Sequence, residues 1–311
     1  MLLAVTADLH YPKASNFTLS QLAQAIERQR PDVLLIAGDL GDCSAYSATS
    51  LAFFRQLPCP KLVLAGNHDL YPHNENFLRS PSEPVPVPQP HSTKELTSAQ
   101  LWQGELRRQI QAQGGVWLED TVYVRPPVAI VGTIAWYDYS AADPQLGYGP
   151  EVYAREKRFF STDDRINWPW SDLEFADMVS REFLKRLDQV VEDPRVAHIV
   201  VVTHVPILEE QLLRRPGDRY WGFSNAYFGN LTLGRQVLQR PKVCLVVSGH
   251  THIGRHVSFL APNGRLLHAA VVGRRQRQPR FLLFRIPPLA LPHLAVQCLG
   301  EDDSCGGISR P

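Results

Sequence analysis

Five apolar segments of this 311-residue chain end in the same kind of polar chemistry, and this pattern narrows the folds open to it. They run into the short stretches "ADLH", "GDLGD", "GNHD", "THVP" and "GHTH". Short apolar runs that stop at glycine and polar residues are typical of buried strands. In open α/β sheets, ligand sites lie beyond the carboxyl ends of the strands. The sequence therefore predicts that these polar residues meet at one edge of a sheet.

The order of the predicted elements favours an α/β fold. The first apolar runs, 2–7, 33–37 and 62–65, alternate with segments of helical periodicity, which predicts parallel strands with helices packed on the sheet. Capping boxes at Thr18 with Gln21 and at Ser171 with Glu174 predict the starts of two helices. Further strands are predicted at 198–203, 242–248, 255–260, 266–272 and 281–286. The pair Asn263-Gly264 predicts a type I′ hairpin turn.

The polar strand ends together indicate a metal site. Each has a simpler structural explanation on its own, because Asn and Asp are common in turns and a histidine can close a strand without binding anything. Buried together, however, carboxylates and imidazoles are costly to desolvate, and cations remove that cost. Oxygen and imidazole ligands without thiolates suit Mn, Fe, Zn, Co or Ni. Two ions that share one carboxylate fit the ligand number better than one ion, and such pairs act in displacements at phosphorus.

Three glycines stand immediately before the polar groups of these strand ends. They are Gly38, Gly66 and Gly249. A residue without a Cβ lets the backbone approach a ligand closely. We therefore expect these positions to form the walls of the site.

Charge and cysteine content exclude several other classes of function. Lys+Arg is 32 and Asp+Glu is 31, so the net charge is +1 and no global field recruits nucleic acid or a membrane. None of the five cysteines forms a C-x-x-C pair, which disfavours a thiolate zinc site or a disulfide framework. The first apolar run is interrupted at Asp8 and is too short for a signal peptide or membrane span. We expect a cytoplasmic protein and leave its oligomeric state open.

The five stretches resemble the conserved blocks of the calcineurin-like metallophosphoesterases, and the resemblance runs from Asp8 to His252. It implies an α/β fold of the α+β sandwich type, with two packed mixed β-sheets flanked by helices and a dinuclear metal site at the strand ends. We expect a metallophosphoesterase domain over residues 1–287. The Pro-rich and Gly-rich segment 288–311 is predicted to be a poorly ordered tail.

The resemblance also implies a ligand set, carried over position by position. One ion is expected on Asp8, His10, Asp39 and His252, and the other on Asp39, Asn67, His204 and His250. Asp39 would bridge two divalent or trivalent ions, with Mn the expected activator in vitro. His68 matches the family's proton donor, and Asp69 is expected either to orient it or to cap a helix. The implied activity is hydrolysis of phosphodiesters or small phosphate esters by a metal-bridging hydroxide.

Departures from the family pattern narrow the activity. Protein phosphatases of the superfamily carry Asp-Arg-Gly after the second block and an arginine before the third, and "GDLGDCS" and "LAGNHD" lack both. A nuclease is the alternative enzyme, but it is less expected, because nucleases of the superfamily usually add DNA-binding domains or strongly basic faces and this sequence signals neither. A non-catalytic metal-binding scaffold is disfavoured because His68 and every implied ligand are retained.

The long segment between the third and fourth blocks raises the question of substrate binding. Its aromatic stretch, about 136–170, either caps the site and stacks on a base or forms a hydrophobic cluster. The candidate substrate contacts are Trp168, Trp221 and Arg274. The basic run of Arg274, Arg275, Arg277 and Arg280 is either a solvated rim or a grip on phosphate.

Overall fold

The computed structural model describes residues 1–72, 96–275, 278–288 and 296–301. The strands are β1 Leu2–Thr6, β2 Val33–Ala37, β3 Lys61–Leu64, β4 Gly115–Trp117, β5 Val122–Arg125, β6 Val128–Thr133, β7 His198–Thr203, β8 Val243–Ser248, β9 Arg255–Leu260, β10 Leu266–Val271, β11 Arg274–Arg275, β12 Gln278–Pro279, β13 Phe281–Arg285 and β14 Gln297–Glu301. The α-helices are α1 Asn16–Arg28, α2 Ser47–Ala52, α3 Ser98–Gln100, α4 Leu106–Ala112, α5 Pro150–Phe160, α6 Asp172–Glu192, α7 Arg219–Ser224 and α8 Leu231–Val237.

Twelve of the described strands form two six-stranded mixed sheets, which confirms the expected fold class, and β11 and β12 pair separately. The first sheet has the order β14-β13-β1-β2-β3-β4, in which β1 to β4 are parallel and β13 and β14 are antiparallel additions. The second has the order β5-β6-β7-β8-β10-β9, with a parallel centre and antiparallel edges. Parallel centres need helical crossovers, and these cover the outer faces of both sheets.

Side chains of the central strands alternate between two apolar layers. In β7, Val200 and Val202 pack between the two sheets, while Ile199 and Val201 pack outward against helices. Because both faces of these strands are covered, the middle of β7, from Ile199 to Val202, is apolar at every position, as parallel strands in α/β proteins are. The first polar side chain along β7 that could reach a ligand therefore comes at the carboxyl end of the strand.

The two predicted helix starts have different outcomes. The Ser171–Glu174 capping box is present at the start of α6, whose inward side chains are buried as expected. The prediction of a capping box at Thr18 and Gln21 is wrong, because α1 begins at Asn16 and the Ser15 side chain accepts the backbone N–H of Thr18. Ser15 stands three residues ahead of Thr18, so the helix starts one turn earlier and Thr18 lies inside it, where its own backbone N–H is the one that is capped.

Two further expectations are corrected by the backbone. The β9–β10 hairpin is present, but only Gly264 of the Asn263-Gly264 pair has a positive φ, of 77°, so the turn is not type I′. Residues 297–301 of the predicted disordered tail pair with β13 as the edge strand β14, because their backbone completes the open side of that strand. The tail's remaining segments 289–295 and 302–311 lie outside the described residues.

One buried carboxylate joins the two sheets beside the strand ends. Glu119 follows β4 and accepts the backbone N–H of Ala65, after β3, at 3.3 Å and that of Ile134, after β6, at 3.0 Å. Burial raises the pKa of Glu119 to about 7. The contacts fix the carboxyl end of β3 in one sheet against that of β6 in the other.

Candidate metal centre

The first expected ion set lies together where β1, β2 and β8 end. One ligand atom each from Asp8, His10, Asp39 and His252 can be chosen so that all lie within 4.8 Å of one another. The Nε2 atoms of His10 and His252 are 2.9 Å apart, and Asp8 Oδ1 is 3.5 Å from Nε2 of His252. Two imidazole nitrogens and two carboxylates that converge at this distance surround a space of the size a metal ion requires.

The second expected set converges on the amide oxygen of Asn67. Oδ1 of Asn67 lies 2.9 Å from Nε2 of His204 and 3.1 Å from Nδ1 of His250. The other nitrogen of each imidazole contacts a backbone carbonyl, Ala37 O at 2.8 Å for His204 and Tyr227 O at 2.9 Å for His250. A carbonyl only accepts, so those nitrogens carry the protons and the facing nitrogens present lone pairs.

Asp39 lies between the two sets. Its Oδ2 is 3.4 Å from Nε2 of His10, and its Oδ1 is 3.5 Å from Nε2 of His204. Oδ1 also accepts the backbone N–H of His68 at 2.9 Å, which fixes the carboxylate plane. One oxygen therefore faces each set, which is the arrangement that a bridging ligand needs.

The protonation states of the predicted ligands favour the binding of cations. Burial lowers the pKa of both His10 and His204 to about 3, so these imidazoles are neutral and keep a lone pair at neutral pH. Burial and the nearby Asp8 raise the pKa of Asp39 well above its usual range. Two carboxylates buried this close repel each other, and metal ions relieve that repulsion. The donor set therefore fits a pair of metal ions.

The backbone bends sharply at the predicted ligands. A left-handed conformation, with φ between 46° and 71°, is adopted by Asp8, His10, Asp39, His250 and His252. Such residues cost about 1 kcal/mol or more each and cluster at functional sites. The strained turns direct consecutive polar side chains of one loop into the same small space.

The glycines of the sequence pattern lie where a side chain would collide with the site. A Cβ on Gly66 would fall 2.1 Å from Oδ1 of Asp39, and one on Gly38 would fall 2.5 Å from Nδ1 of His204. A Cβ on Gly249 would lie 2.9 Å from Oδ2 of Asp8. Each glycine thus lets a strand end approach a predicted ligand, as the sequence indicated.

His68 lies beside the first set and contacts Asp42 rather than Asp69. Its Nδ1 is 3.2 Å from Oδ1 of Asp42, which also binds Nζ of Lys13 at 2.7 Å. Although burial opposes it, contact with His10, His68 and Lys13 holds the pKa of Asp42 well below its usual range. Asp42 is therefore ionised, and it is the carboxylate placed to orient the His68 ring.

Asp69 has a different position from the one expected. It is buried and accepts the backbone N–H groups of Leu40, Gly41 and Gly66 and the hydroxyl of Ser47. It neither orients the His68 ring nor makes a helix-cap hydrogen bond, because its oxygens face the loop after β2. Its contacts hold the loops after β2 and β3 together, and those loops carry Asp39 and Asn67.

The aromatic stretch is largely a hydrophobic cluster. Trp136, Tyr137, Tyr139 and Tyr153 are buried in the apolar layer that also covers the first sheet. Trp168 is half-buried and packs on Phe175 and Trp136, with ring centroids 4.1 and 5.0 Å apart. One polar member reaches the centre: Asp163 accepts a hydrogen bond from Nδ2 of Asn67 at 2.8 Å.

The other two candidate substrate contacts lie on opposite sides of the centre. Trp221 packs against Phe228, whose ring centroid is 6.1 Å from that of His250. Arg274 lies on the first-set side, where its backbone N–H donates to the carbonyl of His252 at 3.0 Å. Farther along, Arg275 and Arg280 join Arg28 in a groove of about 450 Å³ between α1 and β11–β12. Arg277 lies outside the described residues.

Histidines outside the two sets have separate environments. His256 and His268 stack on each other, with ring centroids 5.5 Å apart, and His198 is buried at the start of β7. His73, His91 and His293 lie outside the described part of the chain. Within the described ranges, no helix is both long and apolar enough to cross a membrane.

Comparison with known proteins identifies relatives of this arrangement. The model of the calcineurin-like phosphoesterase family matches residues 1–254. A search of curated protein sequences found no significant match. Phosphopantetheinyl hydrolase from Mycobacterium tuberculosis is similar in structure, with a TM-score of 0.63, 21% identity, and coverage of 88% of this chain and 90% of that one. A dimetal phosphatase from Danio rerio is also similar in structure, with a TM-score of 0.51, 13% identity, and coverage of 92% of this chain and 92% of that one. Both likenesses show the same fold.

Proposed function

This chain is a member of the calcineurin-like phosphoesterase family, and we propose that it hydrolyses phosphodiesters or small phosphate esters with His68 as the proton donor. The observation that carries the proposal is the convergence of six predicted ligands around the seventh, Asp39, with His68 at the edge. When bound, two metal ions would polarise the phosphate and lower the pKa of a bound water.

The protein's own residues would divide the remaining work. Asp8, His10 and His252 would hold one ion, Asn67, His204 and His250 the other, and Asp39 both. The His68 side chain is only 15% exposed, and its Nε2 faces the centre at 4.0 Å from Oδ2 of Asp39. From there it would protonate the departing alkoxide, while the Asp42 carboxylate, 3.2 Å from Nδ1, would stabilise the charged form of the ring.

The side of the centre near Trp221 is where we place the organic part of the substrate. Phe228 and Trp221 extend from the His250 ring as neighbouring aromatic surfaces. Stacking of a flat group such as a base on an aromatic side chain contributes about 1–3 kcal/mol of binding free energy per base. Arg274, whose backbone lies beside His252 on the opposite side, is our candidate for contacting a phosphate oxygen.

The test combines a substrate panel with one variant. Chelated protein is reloaded with Mn and assayed on phosphomonoesters, phosphodiesters and cyclic nucleotides, and His68→Ala is assayed alongside. We expect hydrolysis by the wild type and a loss of about 10²–10⁴ in rate for the variant, with metal content retained. The loss should shrink for nitrophenyl esters, whose leaving group needs little protonation. An equal loss with every leaving group would remove His68 from the role of proton donor.

A further inference from the structure

A buried carboxylate from the aromatic segment contacts a predicted metal ligand. Asp163 lies in the short turn Thr162–Arg165, and its side chain is buried. It accepts four side-chain hydrogen bonds, all between 2.7 and 2.9 Å. The donors are Asn67, Tyr71, Tyr137 and Ser161. Two oxygens that each receive two donors have no lone pair left for a proton of their own, so the group is a carboxylate.

The contact decides which end of the Asn67 amide faces the metal centre. An asparagine side chain has an oxygen and a nitrogen of nearly the same shape, and either could point inward. A carboxylate can only accept, so Nδ2 must face Asp163, at 2.8 Å. Oδ1 then faces His204 and His250, at 2.9 and 3.1 Å. Of the two ends, only the oxygen has a lone pair for a cation.

We propose that Asp163 is a positioning residue that fixes the oxygen of Asn67 toward the second ion. The inference rests on the proposed ligand set. The negative charge behind the amide also draws electron density onto Oδ1, as outer partners of metal ligands do. A segment far from the motifs in sequence thereby acts on the affinity of the site, although it supplies no ligand.

The surrounding network makes the orientation rigid. Tyr71 donates to Asp163 at 2.7 Å and accepts from Nδ2 of Asn67 at 3.1 Å. Tyr137 donates to the other carboxylate oxygen at 2.9 Å and makes no hydrogen bond to Asn67. Tyr137→Phe is therefore a matched control, because it removes one hydrogen bond from the same carboxylate without touching the ligand.

The experiment measures metal affinity instead of turnover. Metal-free wild type, Asp163→Asn and Tyr137→Phe are titrated with Co²⁺, and the visible absorption and calorimetric heats resolve the two binding steps. For Asp163→Asn we expect one of the two affinities to fall about 10–100-fold and the other to change little. For Tyr137→Phe we expect both to stay within about threefold of wild type, below the range seen for a lost outer partner.

A double-mutant cycle with Asn67→Ala separates positioning from a general structural role. If Asp163 acts through Asn67, then Asp163→Asn should cost almost nothing further once Asn67 is alanine. Additive losses, unchanged affinity in Asp163→Asn, or an equal loss in Tyr137→Phe would each overturn the inference. Should Asp163→Asn fail to fold, Asp163→Ser is used, and wild-type affinity there overturns the inference as well.

The outcome also distinguishes this inference from the proposed function. A wild type that binds two ions and hydrolyses phosphate esters, together with a silent Asp163→Asn, rejects only the role of Asp163. A wild type that binds fewer than two ions rejects both.

Discussion

The imidazoles in the two halves of the metal centre are supported differently, although Asp8 in the first half accepts the backbone N–H of His250 at 3.0 Å. On the first side, the His252 side chain is 42% exposed, and Nδ1 of His10 lies 3.6 Å from the nearest Asp42 oxygen, too long for a hydrogen bond. On the second side, Asn67, His204 and His250 each have a close partner behind them. Since such partners raise metal affinity, the second half should hold its ion more tightly.

The comparison suggests a division of tasks between the halves. The supported second half would keep its ion through the catalytic cycle and lies beside the aromatic surface of Phe228 and Trp221. In the first half only the His252 side chain reaches solvent, and this half adjoins His68, whose ring centroid is 4.5 Å from that of His10. Exposure near the proton donor suits a position where water enters and product leaves.

The largest expected effect tests whether Asp39 joins the halves. Asp39→Asn should lower the affinity for both ions by at least about 100-fold, since losing only an outer partner costs 10–100-fold. Asp42→Asn is the matched control, because it changes a carboxylate of the same loop that faces His68, and it should retain both ions. Elemental analysis of the purified variants gives the ions bound per chain. Loss of a single ion from Asp39→Asn would show that the carboxylate belongs to one half only.

An intermediate effect tests the inequality of the halves directly. During titration with a chelator, the ion on Asp8, His10 and His252 should leave first. We expect this at a chelator concentration about tenfold below that needed to remove the second ion, because outer partners are missing on the first side. Anomalous scattering from crystals soaked at stepped chelator concentrations locates the remaining ion. Retention of the first-side ion after loss of the second would reverse the comparison.

The smallest effect concerns the substrate side. Trp221→Ala should raise KM for substrates with an aromatic group, by about tenfold for the loss of one stacking contact. Its kcat for a minimal phosphodiester should be unchanged, which is the signature of lost uniform binding. Trp168→Ala is the control, because that ring packs on Phe175 and Trp136 and should affect the melting temperature without changing KM. An unchanged KM in Trp221→Ala would show that the organic group of the substrate does not bind beside the second half.

Much of the fold and the grouping of the predicted ligands could be read from the sequence. The ligands follow directly on apolar runs, so the strand direction alone determines which edge they reach. His250 and His252 are two residues apart, and Asn67 follows Gly66 at the end of β3. Local pattern was sufficient there because each ligand is attached to a long apolar element that the core positions.

The supporting contacts could not be predicted, because they join segments with no local relation. Asp163 lies 96 residues from Asn67, just after helix α5, which buries one side chain, that of Tyr153. The partner of His250 is the backbone carbonyl of Tyr227, and because every residue has a backbone carbonyl, the sequence cannot indicate which one makes this contact. Asp42 carried a signal in its spacing after Asp39, but the sequence alone did not show that it faces His68. The short strands β4 and β5 were missed because they contain few residues.

The separation of the first-side ligands along the chain has a consequence for biosynthesis. His10 and His252, whose nitrogens are 2.9 Å apart, are 242 residues apart in sequence. During synthesis the amino-terminal strands emerge and begin to fold long before His252 leaves the ribosome. The growing chain can therefore gather the complete ligand set only after strands β1 to β8, which end at Ser248, have been synthesised. Metal capture becomes a late event, and an interrupted chain that stops before residue 250 lacks two predicted ligands and cannot form the hydrolytic centre.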